Sequence, residues 1–331
     1  MLNPKLFLNE NVFNPDVEQV PIRNGFGEGL VEVAEKDSRI VGLCADLTES
    51  TRMEDFAKKF PNRFIEMGIA EQNLASVASG MAAMGKIPFM SSYAAFSPGR
   101  NWEQIRTTIC YNDVPVKIAG SHAGLTVGPD GGTHQALEDI ALMRVLPNMC
   151  VICPCDVHEA RRATLAMAQT KTPTYIRLAR EKTPVITTKE TPFEIGKAQV
   201  FFESKGDTMD VVIIACGSLV YQSLQAAQKL DDEGIKVAVI NIATIKPLDT
   251  QTLEQYAKKS KAFVTVEEHQ TAGGLGGAIA EWSVTNHPIA IEFIGVKDKY
   301  GQSGKPDELF NEYGLNVQTI EKTVYKVLSR K

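Results

Sequence analysis

The chain has no long apolar run. No hydrophobic stretch approaches membrane-spanning length, and Met1-Leu2-Asn3-Pro4-Lys5-Leu6-Phe7 lacks the apolar core of a signal peptide. A membrane partner is therefore not indicated, and a cytoplasmic location is expected. Charge is not concentrated either: the net value is −5, and no basic stripe marks a nucleic-acid surface. Cysteine is sparse, six in 331 residues, so reduced thiols are expected rather than a disulfide framework. Cys150, Cys153 and Cys155 cluster, but no second Cys or His pair sits at a matching spacing. Cys150-Val151-Ile152-Cys153 reads instead as a buried strand, and no metal ligand is assigned. Low-complexity tracts and solenoid-period repeats are missing too. What is present, 44% hydrophobic and 23% charged residues, is a globular composition with length for two cores.

After an irregular arm over residues 1–19, short apolar runs alternate with helical patterns. Ile40-Val41-Gly42-Leu43-Cys44-Ala45 reads as a buried strand ending at Asp46. Val114-Pro115-Val116-Lys117-Ile118-Ala119 reads as another, running toward His122, and residues 150–153 and 174–178 complete the set. Leu74, Val77, Ala78 and Met81 at i, i+3, i+4 and i+7 predict a helix closed by Gly85. Residues 183–197, broken by Thr183-Pro184, Thr191-Pro192 and Gly196, form the expected linker between units at 20–182 and 198–331. In the second unit, residues 211–215, 237–240, 262–266 and 289–293 are strands, and Ser218 is expected to cap a helix ending at Gly234. This alternation predicts two α/β domains with doubly wound, mostly parallel sheets. Asp46 and His122 then fall just past carboxyl ends of strands, where open α/β sheets bind ligands.

Two segments carry the candidate chemistry. Met67-Gly68-Ile69-Ala70-Glu71-Gln72-Asn73 puts one carboxylate at the start of an apolar helix, three residues before Leu74 and on its core-facing side. Burial there favours a proton donor, whereas an ordinary first-turn glutamate held by the helix dipole fits the helix equally well. The second segment is Ser121-His122-Ala123-Gly124-Leu125-Thr126-Val127-Gly128-Pro129-Asp130-Gly131-Gly132-Thr133-His134-Gln135. Its glycines permit tight turns and close backbone approach to a ligand, and Asp130 and two histidines punctuate it.

Together, in this order, the two segments resemble the pyrimidine-binding half of a thiamine-diphosphate enzyme of the transketolase family. The resemblance implies that Glu71 protonates the aminopyrimidine ring, that Tyr93 and Phe96 in Ser92-Tyr93-Ala94-Ala95-Phe96 stack on it, and that Leu47 wedges the cofactor into its bent shape. Ordinary core aromatics remain the alternative for Tyr93 and Phe96. By the same resemblance His134 contacts sugar hydroxyls near the reacting carbon, and Asp130 and His122 lie deeper in the sugar channel. Asp46 matches a sugar-hydroxyl contact, Ser50 and Arg180 match the family's phosphate-binding serine and arginine, and Arg23 aligns as a second arginine. A surface pair with Glu181 is the plainer alternative for Arg180. Deoxyxylulose-phosphate synthases share Asp-Gly-x-Thr-His but carry arginine where this chain has His122.

Glu267-Glu268-His269 and Gly273-Gly274-Leu275-Gly276-Gly277 look catalytic at first sight, but the glycines lack the Gly-x-Gly-x-x-Gly spacing of a nucleotide loop. The resemblance makes this C-terminal domain structural, with no catalytic residue. The chain also contains no Gly-Asp-Gly, which the family uses to hold the metal and the cofactor diphosphate. The implied arrangement is the C-terminal, small subunit of a split transketolase acting on sugar phosphates. Thiamine diphosphate would be completed by a separate N-terminal subunit that holds Mg2+ or Ca2+, in an assembly such as α2β2. A deoxyxylulose-type or other specialised ketolase subunit, and a non-catalytic regulatory subunit, are the alternatives.

Overall fold

A computed structural model describes residues 1–330. Two mostly parallel sheets with helices packed on their faces organise them, as the alternating pattern predicts. In the first sheet the spatial order is Phe64–Glu66, Ile40–Cys44, Ile87–Tyr93, Lys117–Ser121, Thr174–Arg177, Cys150–Ile152 and Thr244–Lys246. The last of these pairs antiparallel to its neighbour and comes from the C-terminal half of the chain. In the second sheet the order is Ala290–Val296, Ser260–Gln270, Met209–Ala215, Val237–Asn241 and the antiparallel Gln199–Glu203.

Successive side chains on a strand face opposite sides, and the cores follow that period. Val41 and Leu43 join the cluster shared with the second sheet's Val212, Ile214 and Phe263. Ile40 and Cys44 point to the other face, against Phe26, Leu30 and Ala163 of helices Ile22–Lys36 and Val157–Ala168. One apolar core therefore runs between the two halves. The N-terminal arm packs on the second sheet: Asn3 N donates to Phe201 O at 2.9 Å, and Val12 is fully buried. Across the start of the expected linker, Lys182–Pro184 pairs antiparallel with Gln19–Pro21.

Several local expectations change. The strand expected from Val114 begins at Lys117, because Val114 and Val116 close a tight turn around Pro115 (Val116 N to Val114 O, 2.8 Å). Ile87–Tyr93, a central strand, was not foreseen: Pro88 lacks the N–H a ladder needs and argues against a central position. Ser218 does not cap the following helix. Its hydroxyl donates to Glu268 Oε2 at 2.8 Å, and a short 3-10 turn, Gly217–Leu219, leads into helix Val220–Asp232. No described helix is long and apolar enough to cross a membrane.

Candidate active site

Parallel strands deliver their carboxyl ends to one edge, and the predicted residues gather there. Asp46 and Leu47 follow Ile40–Cys44, Tyr93 ends its strand, His122 follows Lys117–Ser121, and Arg180 follows Thr174–Arg177. Asp46 and His122 both turn sharply, with φ of 58° and 54°, a left-handed backbone that non-glycine residues adopt only where surroundings hold it. For Asp46 the holder is Glu66, whose carboxylate accepts from Asp46 N at 2.7 Å and from Thr48 Oγ1 at 2.7 Å.

Glu71 begins helix Glu71–Ala83 and is 2% exposed. The buried stripe is Glu71, Leu74, Ala75, Ala78, Ser79 and Ala82, rotated from the expected face so that Val77 and Met81 are only half-buried. Glu71 thus occupies the end of an apolar stripe, which is what draws its carboxyl out of water. Its Oε2 accepts from Arg100 Nη1 at 2.7 Å, while among the described residues no hydrogen bond reaches Oε1. The helix start is fixed from the other side, where Asn101 Nδ2 donates to the Glu71 carbonyl at 2.9 Å. Arg100 also lies over the Phe96 ring, 4.8 Å from its centroid. Arg100 and Asn101 carry no motif of their own in the sequence; only their position four and five residues past Phe96 connects them with this site.

The aromatics form one stack. Tyr93 lies on His122 with centroids 3.8 Å apart, Phe96 stacks on Tyr93 at 6.2 Å, and His134 meets Phe96 edge-on at 5.5 Å. His122 Nε2 lies 3.1 Å from Arg23 Nη1, and its Nδ1 lies 2.9 Å from Ser121 Oγ. Because a guanidinium only donates, Nε2 must accept, which places the ring proton on Nδ1, donating to Ser121. Burial, reinforced by Arg23, Arg180, Arg52 and His134, pushes the His122 pKa down to about 3.

Arg23 also donates to the Ser50 carbonyl at 2.6 Å, which ties Ser50 to the same corner. Burial, with Arg52 and Arg180 alongside, lowers the Arg23 pKa. Arg180 donates to Val127 O at 2.6 Å and meets Glu181 at 3.4 Å, so the pairing weighed from the sequence exists, but it does not consume the fork. Neither Arg23 nor Arg52 has a carboxylate partner among the described residues. Arg23, Arg52 and Arg180 thus cluster around His122, with Glu181 the carboxylate near them, which leaves this corner with an excess of positive charge. Asp130 is exposed on its loop, and no described contact joins it or Asp46 to the histidines.

The second-half motif resolves differently. Glu267 accepts from Leu275 N at 2.7 Å and Gly276 N at 2.8 Å, filling the N-terminus of helix Leu275–Asn286 with the protein's own carboxylate. A phosphate has no room to bind those amides.

The carboxyl edge of the first sheet thus gathers a buried carboxylate, an aromatic shelf, a glycine-histidine loop and a cluster of arginines. Two family models match: transketolase, pyrimidine binding domain, over residues 18–185, and transketolase, C-terminal domain, over 201–320. A putative transketolase C-terminal section of Methanocaldococcus jannaschii is 43% identical over 313 residues, 93% of this chain and 96% of that relative. A 6-deoxy-6-sulfo-D-fructose transketolase subunit of Clostridium sp. (strain MSTE9) is 37% identical, covering 96% of this chain and 98% of its own length. Among solved structures, a split gene transketolase in an inactive beta4 tetramer superposes with a TM-score of 0.86 at 43% identity, covering 94% and 99% of the two chains. The chain belongs to the transketolase family and corresponds to the section carried by its C-terminal, split-type subunits.

Proposed function

We propose that this chain is the pyrimidine-binding subunit of a thiamine-diphosphate transketolase that moves a two-carbon ketol unit between sugar phosphates. A separate subunit binds the diphosphate and its Mg2+ or Ca2+, and the two form an assembly such as α2β2. The observation that carries this reading is Glu71: a buried carboxylate with one oxygen paired to Arg100, which itself lies over the Phe96 ring, and the other without a hydrogen-bond donor among the described residues. That set of donors and faces fits a flat, nitrogen-bearing ring that shares a proton with the carboxyl. The inactivity of the related beta4 tetramer supports the need for a second kind of chain.

Thiamine diphosphate, when bound, supplies the carbon nucleophile and the electron sink for ketol transfer. Glu71 holds a proton at Oε1 toward the ring nitrogen, and Arg100 and Asn101 keep the carboxyl and the helix start in place. Phe96 and Tyr93 give the ring an apolar bed, and Leu47 supports the cofactor's bend. His134, Asp130 and Asp46 hydrogen-bond sugar hydroxyls. Arg180, Arg23 and Ser50 grip the phosphate, with His122 neutral beside them.

The test is Glu71→Gln in the complex reconstituted with the diphosphate-binding subunit. The fold and partner binding should survive, while activity falls by a factor of about 10²–10⁴, the scale of acid–base groups, because an amide cannot share that proton. Near-normal turnover and near-normal exchange of the cofactor's acidic C–H in the variant would show that Glu71 is only a helix-terminal charge.

A further inference from the structure

The loop that carries Asp130 and His134 is gripped at both ends by the C-terminal half of the chain. At its start, Glu268 Oε1 accepts from Thr126 N at 2.8 Å, and a Cβ on Gly124 would sit 2.3 Å from that oxygen. At its end the side chain of Gln135, 4% exposed, points its amide nitrogen at three carbonyls: Leu125 at 3.3 Å, Gly128 at 3.3 Å and Gln302 at 3.0 Å. Three acceptors around one atom identify it as the NH2 group. The first two belong to the loop itself and the third to the C-terminal half, so one amide fastens the loop's curve and anchors it across the junction.

The fit leaves no slack. A Cβ on Gly131 would meet Ser303 Oγ at 2.6 Å, one on Gly132 would meet Gly301 O at 2.6 Å, and one on Gly301 would meet Gln135 Oε1 at 1.8 Å. Gly124, Gly128 and Gly131 have φ of 84°, 73° and 75°, so the loop is built from residues with the greatest freedom to lose on ordering. Such a backbone needs an outside constraint to hold two side chains toward a substrate.

We infer that Gln135 and Glu268 are positioning residues for ketol transfer, through which the C-terminal domain sets where His134 and Asp130 stand without itself touching substrate. This rests on the function proposed above. Gly301 is the gap that lets the Gln135 amide reach its carbonyls.

The experiment uses Gln135→Met, which keeps the volume and removes the donor, the single variants Gln135→Ala and Gly301→Ala, and the double variant Gly301→Ala/Gln135→Ala. Hydrogen exchange of residues 124–135 is measured in the isolated chain. Turnover with hydroxypyruvate and a phosphorylated acceptor, and calorimetric cofactor binding, are measured in the complex. Expected are faster exchange confined to the loop and kcat lowered on the order of 10- to 100-fold, the scale of a small misplacement of reacting groups. Cofactor affinity should stay within about 2-fold, because the ring's contacts lie on Glu71 and the aromatics. The double variant should be no slower than Gln135→Ala alone, since the added methyl then has nothing to displace. Unchanged loop exchange, kcat within about 2-fold of the parent, or losses that simply multiply would overturn the inference. If the parent complex shows no ketol transfer, that reading of function falls, while loop exchange still decides whether the clamp exists.

Discussion

At His122 a strained backbone and a buried ring coincide. The residue takes a left-handed φ, lies under the Tyr93 ring, and gives its Nε2 lone pair to Arg23. An imidazolium there would face Arg23, Arg180 and Arg52 without water to screen it, so the neutral ring is favoured down to about pH 3. The unfolded chain takes up this proton near 6.5, so between those values it binds more protons than the folded chain. Stability contributed at this site is therefore intact above about pH 6.5 and declines as the pH falls toward 3. In the isolated chain, NMR of the ring nitrogens should report a neutral, Nδ1-protonated His122 from pH 8 down to about 5, and His122→Asn should flatten the acid side of the stability profile. An ordinary titration near 6.5 would refute the buried acceptor.

The elements explain why distant residues meet. Parallel strands all end at one edge, so Asp46, Tyr93, His122 and Arg180 converge although well over a hundred positions separate the first from the last. Strand position was readable for most of them, and the helix period already marked Glu71 as inward-facing. Arg52 and Arg100 were not readable, because a lone arginine on a turn usually faces solvent. Arg180 offers the sharpest test at this scale. Replacing it with alanine should raise the KM for phosphorylated substrates about 10- to 150-fold, the worth of a charge-assisted hydrogen bond, and spare hydroxypyruvate. Lysine should recover only part of the loss, because a point charge lacks the fork. Equal damage with both donors, or none with either, would show that Arg180 is not the phosphate clamp.

Across the whole molecule, the two halves are joined by more than apolar packing. Arg177, 4% exposed, donates through Nε to Asp139 at 3.0 and 3.2 Å and through Nη2 to the Glu268 carbonyl at 2.7 Å. Tyr175 adds a hydrogen bond to Asp139 at 2.7 Å, and burial pushes the Glu268 pKa up. Removing one partner leaves buried carboxylates uncompensated, so Arg177→Met should destabilise the chain by about 3–5 kcal/mol in chemical denaturation. The same variant should loosen residues 124–126, because Glu268 also holds Thr126. A loss below about 1 kcal/mol would mean the network is neutral in the balance of desolvation and pairing.

The sequence by itself determined the class of fold, the positions of most strands along the chain, the helix that begins at Glu71 and the extent of the histidine loop, because period and glycine placement are local properties of the chain. It could not determine that Arg100 pairs with Glu71, that Tyr93 lies on His122, or that Glu267 closes its own helix terminus. Nor could it show that Ser218 and Glu268 serve the junction between halves rather than a cap or a catalytic site. Those facts depend on which surfaces meet once two sheets share a core. A buried polar group takes whichever partner that meeting places within hydrogen-bonding reach.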